Sequence, residues 1–509
     1  MSRINTNVQS LIAQRVLGQN NSGLNTSLER LSTGLKITRG KDDPAGLIAS
    51  ENLRAEQKSL GQAIANADRA DQVMNIAEGG LQEVSTLLTE LQGLLTASAS
   101  EAGLSGEEKE ANQLQIDSIL QTIDRISTAT NFQGIKLLNG NFDFTTSGLN
   151  TGSVSAKVNG AKFTGTSLAV NVAVTQSAQR GGQFLSMGAA TLDLSSGTAQ
   201  LKFEVGGKSG TREFTFASAT SVSQIRDAIN QFSDVTGVTA AVSGTGIKLT
   251  SEGFGSSEFV SVRSINNGGI AAGTSGIYSL NATNFNAAGA QSAEFTNGGN
   301  TIRDAGQNVQ GTINGVVANG VGLNLSLSTD FLDVSVSLSS TEAQAIGNVD
   351  GSGGANTPAF YITGGGADFQ LASKVDINGK VSLGIGEIAS RKLGQTAGTS
   401  ALSTLASGQA NNVVNGDVGA AQETVAQAIK EVSGTRGRLG AFQKNVVGAT
   451  IRSLNINLEN TAAAQSSIRD ADFAAETANL TRSQILVSAA TNVLSLANSQ
   501  PQSALQLLG

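Results

Sequence analysis

The sequence predicts a multidomain α+β protein, with a long antiparallel helical, coiled-coil bundle built from both termini and β-rich domains inserted in the middle. Apolar residues recur at helical spacing in residues 1–130 and again in 410–509. Residues 140–400 are instead rich in Gly, Ser, Thr, Val and Asn, and several stretches alternate apolar with polar residues. Because the two ends share one pattern, we expect them to pack together with the middle as an insertion.

The N-terminal end predicts an amphipathic helix followed by a break. Its apolar residues step by three or four positions, at Ile4, Val8 and Leu11 and then at Leu24, Leu28, Leu31 and Leu35. This spacing places them on one helix face. Glycines at 34, 40 and 46 interrupt the pattern, and Asp43 with Pro44 is a typical N-cap and first residue of the next helix.

Two further helices are predicted after the break. The first is long and carries an apolar stripe with one polar member, Asp71. Gly79 and Gly80 lower its helix propensity. Its stripe is Leu60, Ile64, Ala67, Asp71, Met74, Ala77, Leu81, Val84, Leu88, Leu91 and Leu95. The second is shorter, with Ile116, Ile119, Ile123 and Ile126 as its stripe.

The C-terminal end carries the longest heptad pattern. It predicts coiled-coil packing in one register at Val414, Val418, Ala421, Val425, Ala428, Val432, Thr435, Leu439, Phe442, Val446, Ala449, Ser453 and Ile456. A last helix is predicted from Leu486, Ala490, Val493, Leu494 and Ala497, with Pro501 ending it.

The middle predicts mainly strands. Residues 201–205 and 213–216 alternate as half-buried strands do, 221–232 has the spacing of a helix, and 238–242 with 247–250 predicts a hairpin. A strand at 259–262 completes a β-β-α-β-β-β module at 198–265. Further strands are expected at 322–328 and 332–338.

Composition excludes most enzyme and metal chemistry. The chain has 509 residues and a net charge of −7, with no histidine and no cysteine. Histidine is the commonest general base and metal ligand, and thiolate chemistry needs cysteine, so we expect no catalytic, cofactor-binding or metal-binding residues and no cofactor. A carboxylate pair needs only two acids, but Asp330 and Asp333 are interpreted as strand-edge or turn acids.

Other classes of site are also disfavoured. The glycines at 364–366 lack the Gly-Lys-Ser/Thr of a phosphate loop. The acidic balance argues against a nucleic-acid partner. No apolar run of about 18 residues indicates a membrane span. Apolar and polar residues are interleaved in the first 25 positions, so we expect export without a cleavable signal peptide.

The outermost helices are predicted to need partners from other copies of the chain. Burying a leucine stabilises by about 1.5–3 kcal/mol, whereas fixing one residue's backbone costs about 1–2 kcal/mol. Two thin amphipathic helices at 1–35 and 465–509 do not bury enough on their own, so we expect both to be mobile in the monomer. Small residues such as Ala490, Ala497 and those at 462–464 would allow close helix approach in a polymer.

Several motifs at both ends closely resemble those of bacterial flagellins. They include Ile4–Asn7, the run from Leu28 to Ile37, Asp42–Gly46, the run from Asn131 to Leu138, and the runs from Ile468 to Glu476 and from Arg482 to Leu486. The middle segments 201–265 and about 308–338 resemble inserts of larger flagellins. The resemblance implies a structural subunit that polymerises into the extracellular flagellar filament for swimming motility, and not an enzyme.

The resemblance also implies the domain plan. We expect an N-terminal filament-core helix at 1–44, an N-terminal helical shell domain at 45–140, a β-rich variable region at 141–197 and a β-rich insert module with one helix at 198–265. A β-rich variable outer domain would follow at 266–400. A C-terminal shell domain at 401–463 would pack on 45–140, and a C-terminal filament-core helix would occupy 464–509.

The implied partners are other copies of the chain, a flagellar export chaperone, the filament cap and hook-associated junction proteins, with no nucleic acid and no membrane. An animal innate receptor reads the helix around Glu90 and Leu94 in many flagellins, and those proteins carry Arg and Glu where Glu90 and Gln115 stand here. We therefore expect weak recognition by that receptor, although Glu90 is equally well an ordinary solvated residue. The alternatives are a hook–filament junction protein and a surface adhesin.

Overall fold

The long helices lie at the two ends of the sequence, as predicted. The computed structural model describes residues 6–100, 103–195, 198–270, 273, 275–280, 288–296, 299–352, 354, 357–395 and 400–506. The helices are α1 Val8–Thr33, α2 Pro44–Ser98, α3 Gly106–Ala129, α4 Val222–Asn230, α5 Ser233–Thr236, α6 Ser340–Gln344, α7 Val418–Ala441, α8 Gly448–Arg469 and α9 Phe473–Gln506. A 3₁₀ turn spans Leu402–Leu405, and a π-helical turn spans Phe442–Val447.

The chain folds into two compact units. The terminal unit comprises Met1–Met74, Phe369–Lys380 and Leu439–Gly509. The central unit comprises Asn75–Asp368 and Val381–Arg438. Across the described ranges, no helix is both long enough and apolar enough to span a bilayer.

The long helix predicted after the break is confirmed as α2. Pro44 is its first residue, and the Asp43 Oδ1 atom accepts a hydrogen bond from the Gly46 amide at 2.9 Å, as expected of an N-cap. Most of the predicted stripe is buried: Leu60, Ala67, Met74, Ala77, Leu81, Val84, Leu88, Leu91 and Leu95. Gly79 and Gly80 do not interrupt the helix. A Cβ at Gly80 would lie 2.8 Å from Leu138 Cδ1, so glycine permits a close approach there.

The single heptad register predicted for 414–456 is wrong beyond Phe442. Ala421, Val425, Ala428, Val432, Thr435, Leu439 and Phe442 are buried as predicted, but the next buried residues are Val447 and Leu454, and Ile456 is 59% exposed. The π-helical turn is the reason. A π turn contains one residue more than an α turn, so every later position moves by one along the stripe. Within the terminal unit, Leu454 then packs with Leu60 and Ala63 of α2.

The prediction that Pro501 ends the last helix is also wrong, because α9 continues through it to Gln506. The break before this helix lies after Arg469, since α8 ends there and α9 begins at Phe473. The alanines at 462–464 are exposed on α8.

The strands occupy the middle of the chain. They are β1 Asn131–Phe132, β2 Ile135–Lys136, β3 Phe144–Ser147, β4 Val154–Ala161, β5 Leu168–Val170, β6 Val172–Gln176, β7 Gly182–Met187, β8 Gln200–Gly206, β9 Thr211–Ala217, β10 Val238–Ser243, β11 Gly246–Ser251, β12 Phe259–Asn266, β13 Ser275–Leu280, β14 Ala288–Glu294, β15 Ile302–Ala305, β16 Gln310–Ile313, β17 Val316–Val321, β18 Asn324–Ser328, β19 Leu332–Leu338, β20 Gly347–Val349, β21 Phe360–Gly365, β22 Ala367–Gln370 and β23 Lys380–Leu383.

In the central unit these strands form antiparallel sheets whose order differs from the chain order. The largest has the order β20-β6-β16-β17-β18-β19-β4, and a three-stranded sheet has the order β3-β21-β5. They share one apolar core with residues from Phe144 to Ile362. The alternation of β19 is regular, with Leu332, Val334, Val336 and Leu338 buried, as the sequence predicted for 332–338.

The elements predicted within 198–265 are confirmed, but they divide between two sheets. β8 and β9 pair with each other and belong to the sheet β15-β12-β8-β9, whereas the predicted hairpin β10–β11 belongs to the sheet β10-β11-β7-β13-β14. α4 is the predicted helix, and α5 is a second, short one that the sequence did not reveal. The shared core includes Leu185, Ile277 and Phe295, which lie outside the predicted module.

Candidate assembly site

The two outermost helices, α1 and α9, pair with each other in an antiparallel arrangement within the terminal unit. Asn7 contacts Ala497, Asn20 contacts Leu486, and Arg30 contacts Glu476, so the chain directions are opposite. The two helices therefore have a partner in their own molecule, and the expectation that this partner is insufficient without other copies stays a prediction. Its physical basis, a shortage of buried apolar surface, is nevertheless visible in the contact itself.

Small side chains occupy much of the seam between the two helices. The buried residues are Ser10, Ala13 and Ser27 on α1 with Glu476, Ala490 and Ala497 on α9. Leu17, Leu24, Leu31, Leu480, Val487 and Leu494 lie between them and are half-buried. Both sets repeat at three- and four-residue steps, as in a coiled coil. Alanine and serine let the helices approach closely, but they bury little apolar area.

The outer faces of this pair expose most of its large apolar side chains. Val8, Leu11 and Leu28 of α1 are 54%, 58% and 46% exposed, and Leu486 and Val493 of α9 are 44% and 56% exposed. These five belong to the predicted assembly residues. Sequence analysis did not include four equally exposed neighbours, Ile12, Val16, Ile485 and Leu496. Three of them, Ile12, Ile485 and Leu496, lie directly beside a chosen residue, and Val16 lies five positions after Leu11.

The other predicted assembly residues lie elsewhere in the structure. Ala490 and Ala497 are buried in the seam, and Leu24, Leu31, Leu35 and Leu494 are half-buried. Ile4 lies outside the described residues. The exposed members are therefore the predicted residues with the most surface left to contact another molecule.

The C-terminal end of α1 and the N-terminal end of α9 connect to the rest of the terminal unit at residues 34–36 and 469–471, which we call the joint. Gly34 ends α1 with a left-handed backbone, at φ +72°. The Lys36 amide donates to the Arg469 carbonyl at 2.7 Å, and the Ala471 amide donates to the Gly34 carbonyl at 2.9 Å. Two of the motifs that carry the flagellin resemblance, from the opposite ends of the chain, therefore meet in one bridge.

Ion pairs surround this joint. Arg469 Nη1 lies 2.9 Å from Glu51 Oε1, and Arg30 Nη1 lies 3.9 Å from the largely buried Glu476 carboxylate. Together with the bridge they fix where α1 and α9 leave the bundle. The Glu51 carboxylate is exposed, and exposed pairs contribute about 0–1 kcal/mol, so the Arg469–Glu51 pair orients the joint more than it stabilises it.

A charged cluster connects β4 to α7 within the central unit. The Asn159 amide donates to Asp333 Oδ1 at 3.0 Å, and Arg438 donates to Asn159 Oδ1. Burial, followed by the nearby Arg438 charge, lowers the pKa of Lys157, whereas burial raises the pKa of Asp143. Asp333 is thus part of a structural network.

The remaining candidate residues are also placed in the central unit. Lys162 Nζ pairs with Asp330 Oδ1 at 2.9 Å. Glu90 and Gln115 are exposed, on α2 and α3, and Leu94 is half-buried. Within the described part of the chain, no group of three or more acidic residues is arranged to hold a metal ion.

Comparisons with known proteins agree with the terminal motifs. The family model for the bacterial flagellin N-terminal helical region matches residues 4–143, and that for the bacterial flagellin C-terminal helical region matches 422–508. The model for the flagellin hook IN motif matches 200–253. The chain belongs to the flagellin family.

Two flagellin relatives match nearly the whole chain, and a third matches part of it. Flagellin B of Helicobacter pylori is 27% identical over 99% of this chain and 99% of its own. A flagellin of Salmonella typhimurium is 29% identical over 99% of each chain. Flagellin E of Vibrio cholerae is 42% identical over 27% of this chain and 36% of its own. This flagellin-family chain is a structural filament subunit and not an enzyme, and the junction-protein and adhesin alternatives are not favoured.

Proposed function

We propose that this chain builds the extracellular flagellar filament by burying the outer faces of α1 and α9 against other copies of itself. This proposal rests on the distribution of the exposed apolar side chains. The terminal unit has under a third of the chain, yet it holds more than half of the large hydrophobic side chains exposed among the described residues. Exposed apolar surface concentrated in this way is typical of an interface.

The chemistry of the pair supports the same proposal. The outer face of α9 at Ile485, Leu486, Val493 and Leu496 has one charged residue, Arg482, at its inner edge, and the helix has no charged side chain beyond it. Each such side chain gains about 1.5–3 kcal/mol on full burial. The joint holds both helices at one place, so the rigid bundle can present the two faces together.

A charge placed on this outer face tests the proposal. Val493→Lys should raise the concentration needed for seeded polymerisation by at least about tenfold, because an ammonium must be buried without a partner. Val317→Lys is the matched control, since Val317 is 80% exposed on β17 of the central unit. The supernatant left after sedimentation gives the critical concentration. Equal critical concentrations for both variants and the parent chain would sink the proposal.

We further propose the partners that such a subunit requires. These are an export chaperone, the filament cap and the hook-associated junction proteins, and the chain would leave the cell without losing a signal peptide. A host innate receptor is expected to respond weakly, because the exposed Glu90 carboxylate cannot replace an Arg donor. A receptor-reporter assay in which Glu90→Arg leaves the response unchanged would contradict this part.

A further inference from the structure

Pro501 lies inside α9 and leaves one backbone carbonyl without its helical donor. The helix runs from Phe473 to Gln506. In an α-helix each carbonyl accepts a hydrogen bond from the amide four residues later. Proline has no amide hydrogen, so the Ala497 carbonyl loses this bond. Pro501 is the only proline in this helix, which makes Ala497 distinct among its carbonyls.

The Asn7 side chain satisfies that carbonyl from the other end of the sequence. Asn7 Nδ2 donates to the Ala497 carbonyl oxygen at 2.8 Å. The other atom of the same amide group, Oδ1, accepts from the Ser10 amide at 3.0 Å and thereby caps α1. Beside it, Ser10 Oγ lies 2.8 Å from Asn498 Oδ1. Ser10 and Ala497 are 8% and 7% exposed, so these contacts are largely shielded from water.

The seam between the helices does not define its own register. Its small residues on α9, Ala490 and Ala497, are seven residues apart, and half-buried Val487 and Leu494 repeat at the same interval. A slip by one heptad would therefore place similar side chains against α1. In a register slipped toward Ala490, the Asn7 amide would meet a carbonyl that already has its helical donor, and the Ala497 carbonyl would be left without one.

We propose that Asn7 and Pro501 act as a register lock at the outer end of the pair, which, together with the joint at its inner end, sets the axial position of α1 against α9 when the chain enters the filament. This inference rests on the proposed assembly role of the pair. A slip of seven residues is a shift of about 10 Å along the helix, at 1.5 Å per residue. Such a shift would misalign the outer apolar faces that neighbouring copies must cover.

The Asn7→Asp variant removes the hydrogen bond to Ala497 but keeps the cap of α1. The carboxylate still accepts from the Ser10 amide, and a negative charge suits a helix N-terminus, so the cap is retained. The donor to Ala497 is lost, and a carboxylate oxygen faces the Ala497 carbonyl in its place, a repulsion that the Asn20→Asp control also introduces at Leu486. We expect the critical concentration for seeded polymerisation to rise by about tenfold, because a buried carbonyl is left unpaired.

Pro501→Ala supplies the rescue. Residue 501 then has an amide that can donate to Ala497, so adding Asn7→Asp in this background should raise the critical concentration by less than about threefold. Asn20→Asp is the control in the parent background. Asn20 Nδ2 also donates to a carbonyl of α9, that of Leu486 at 3.3 Å, but residue 490 is an alanine that supplies the helical donor there.

The lock is overturned if Asn7→Asp has no effect, if its effect is equal in the parent and Pro501→Ala backgrounds, or if Asn20→Asp is as damaging. Rescue by Pro501→Ala also excludes a simple folding failure of Asn7→Asp. Should the parent chain itself fail to extend seeds, the proposed function fails. If the parent and Asn7→Asp chains both extend filament seeds normally, the register lock is overturned but the proposed function is not.

Discussion

At the scale of single residues, Asp42 organises the turn that separates α1 from α2. Its Oδ2 atom accepts from the Arg39 amide at 2.9 Å, the Thr38 hydroxyl at 3.0 Å and the Thr38 amide at 3.3 Å. The Arg39 amide and then the Thr38 hydroxyl lower the pKa of this carboxyl below its ordinary value of 3.8. The ionised form is thus the one that holds the turn.

This predicts an acid-sensitive turn. Because the folded pKa lies below the unfolded one, the stabilisation is fully present above pH 3.8 and is lost as the pH falls through the folded value. Hydrogen exchange of residues 36–46, corrected for intrinsic rates, should show protection that falls with acid in the parent chain. Asp42→Asn should remove that step, and the same step in both chains would contradict the assignment.

Single residues were predictable where their partners are close in sequence. Asp43 and Pro44 mark the start of α2, and the contact that confirms the cap spans three residues. The prediction that Pro501 ends α9 was wrong for a long-range reason. The Ala497 carbonyl, which loses its helical donor at Pro501, accepts a hydrogen bond from Asn7 at the other end of the chain. A proline that stops an isolated helix is tolerated when another segment satisfies the freed carbonyl, and sequence spacing cannot show that segment.

At the scale of elements, the π-helical turn at Phe442–Val447 separates α7 from α8 and changes the register of the buried stripe. Periodicity located these helices correctly, but it could not choose between Val446 and Val447, since both are apolar. The clue lay further on, where the predicted stripe contained Ser453 although Leu454 stood beside it. The structure buries Leu454 and leaves Ser453 exposed.

Removing the extra residue should preserve the packing. Deleting the exposed Lys444 converts the π turn to an α turn and brings Val447 to the position four residues after Phe442, so Leu454 stays on the buried side. Deleting the exposed Lys430 within α7 instead rotates all later residues by about 100°. We expect the first deletion to lower the bundle's Tm by a few degrees at most.

The second deletion should lower the Tm by at least about 8 °C, because it misplaces several core residues. Circular dichroism at 222 nm measures both transitions. Equal losses for the two deletions would mean that the π turn is not a simple one-residue insertion.

At the scale of the whole molecule, the sequence predicted helical ends around a β-rich middle but not how the strands combine. β4 pairs with β19, and β6 pairs with both β16 and β20, although more than 100 residues separate the partners. Local alternation reveals a strand and its buried face, whereas the choice of partner depends on the complete core. The seam between α1 and α9 was not predicted in detail, since it combines buried Ala and Ser with half-buried Leu and Val from opposite ends of the chain.

The central claim is that α1 and α9 form only a marginal pair alone and become stably buried when copies assemble. Hydrogen exchange of the dilute monomer and of the filament tests it most directly. Residues 8–33 and 473–506 should exchange rapidly in the monomer and slowly in the filament, because small seam residues give little protection without neighbours. The buried strands β8, β12 and β19 should exchange slowly in both states. Equal, strong protection of α1 and α9 in the monomer and the filament would contradict the claim.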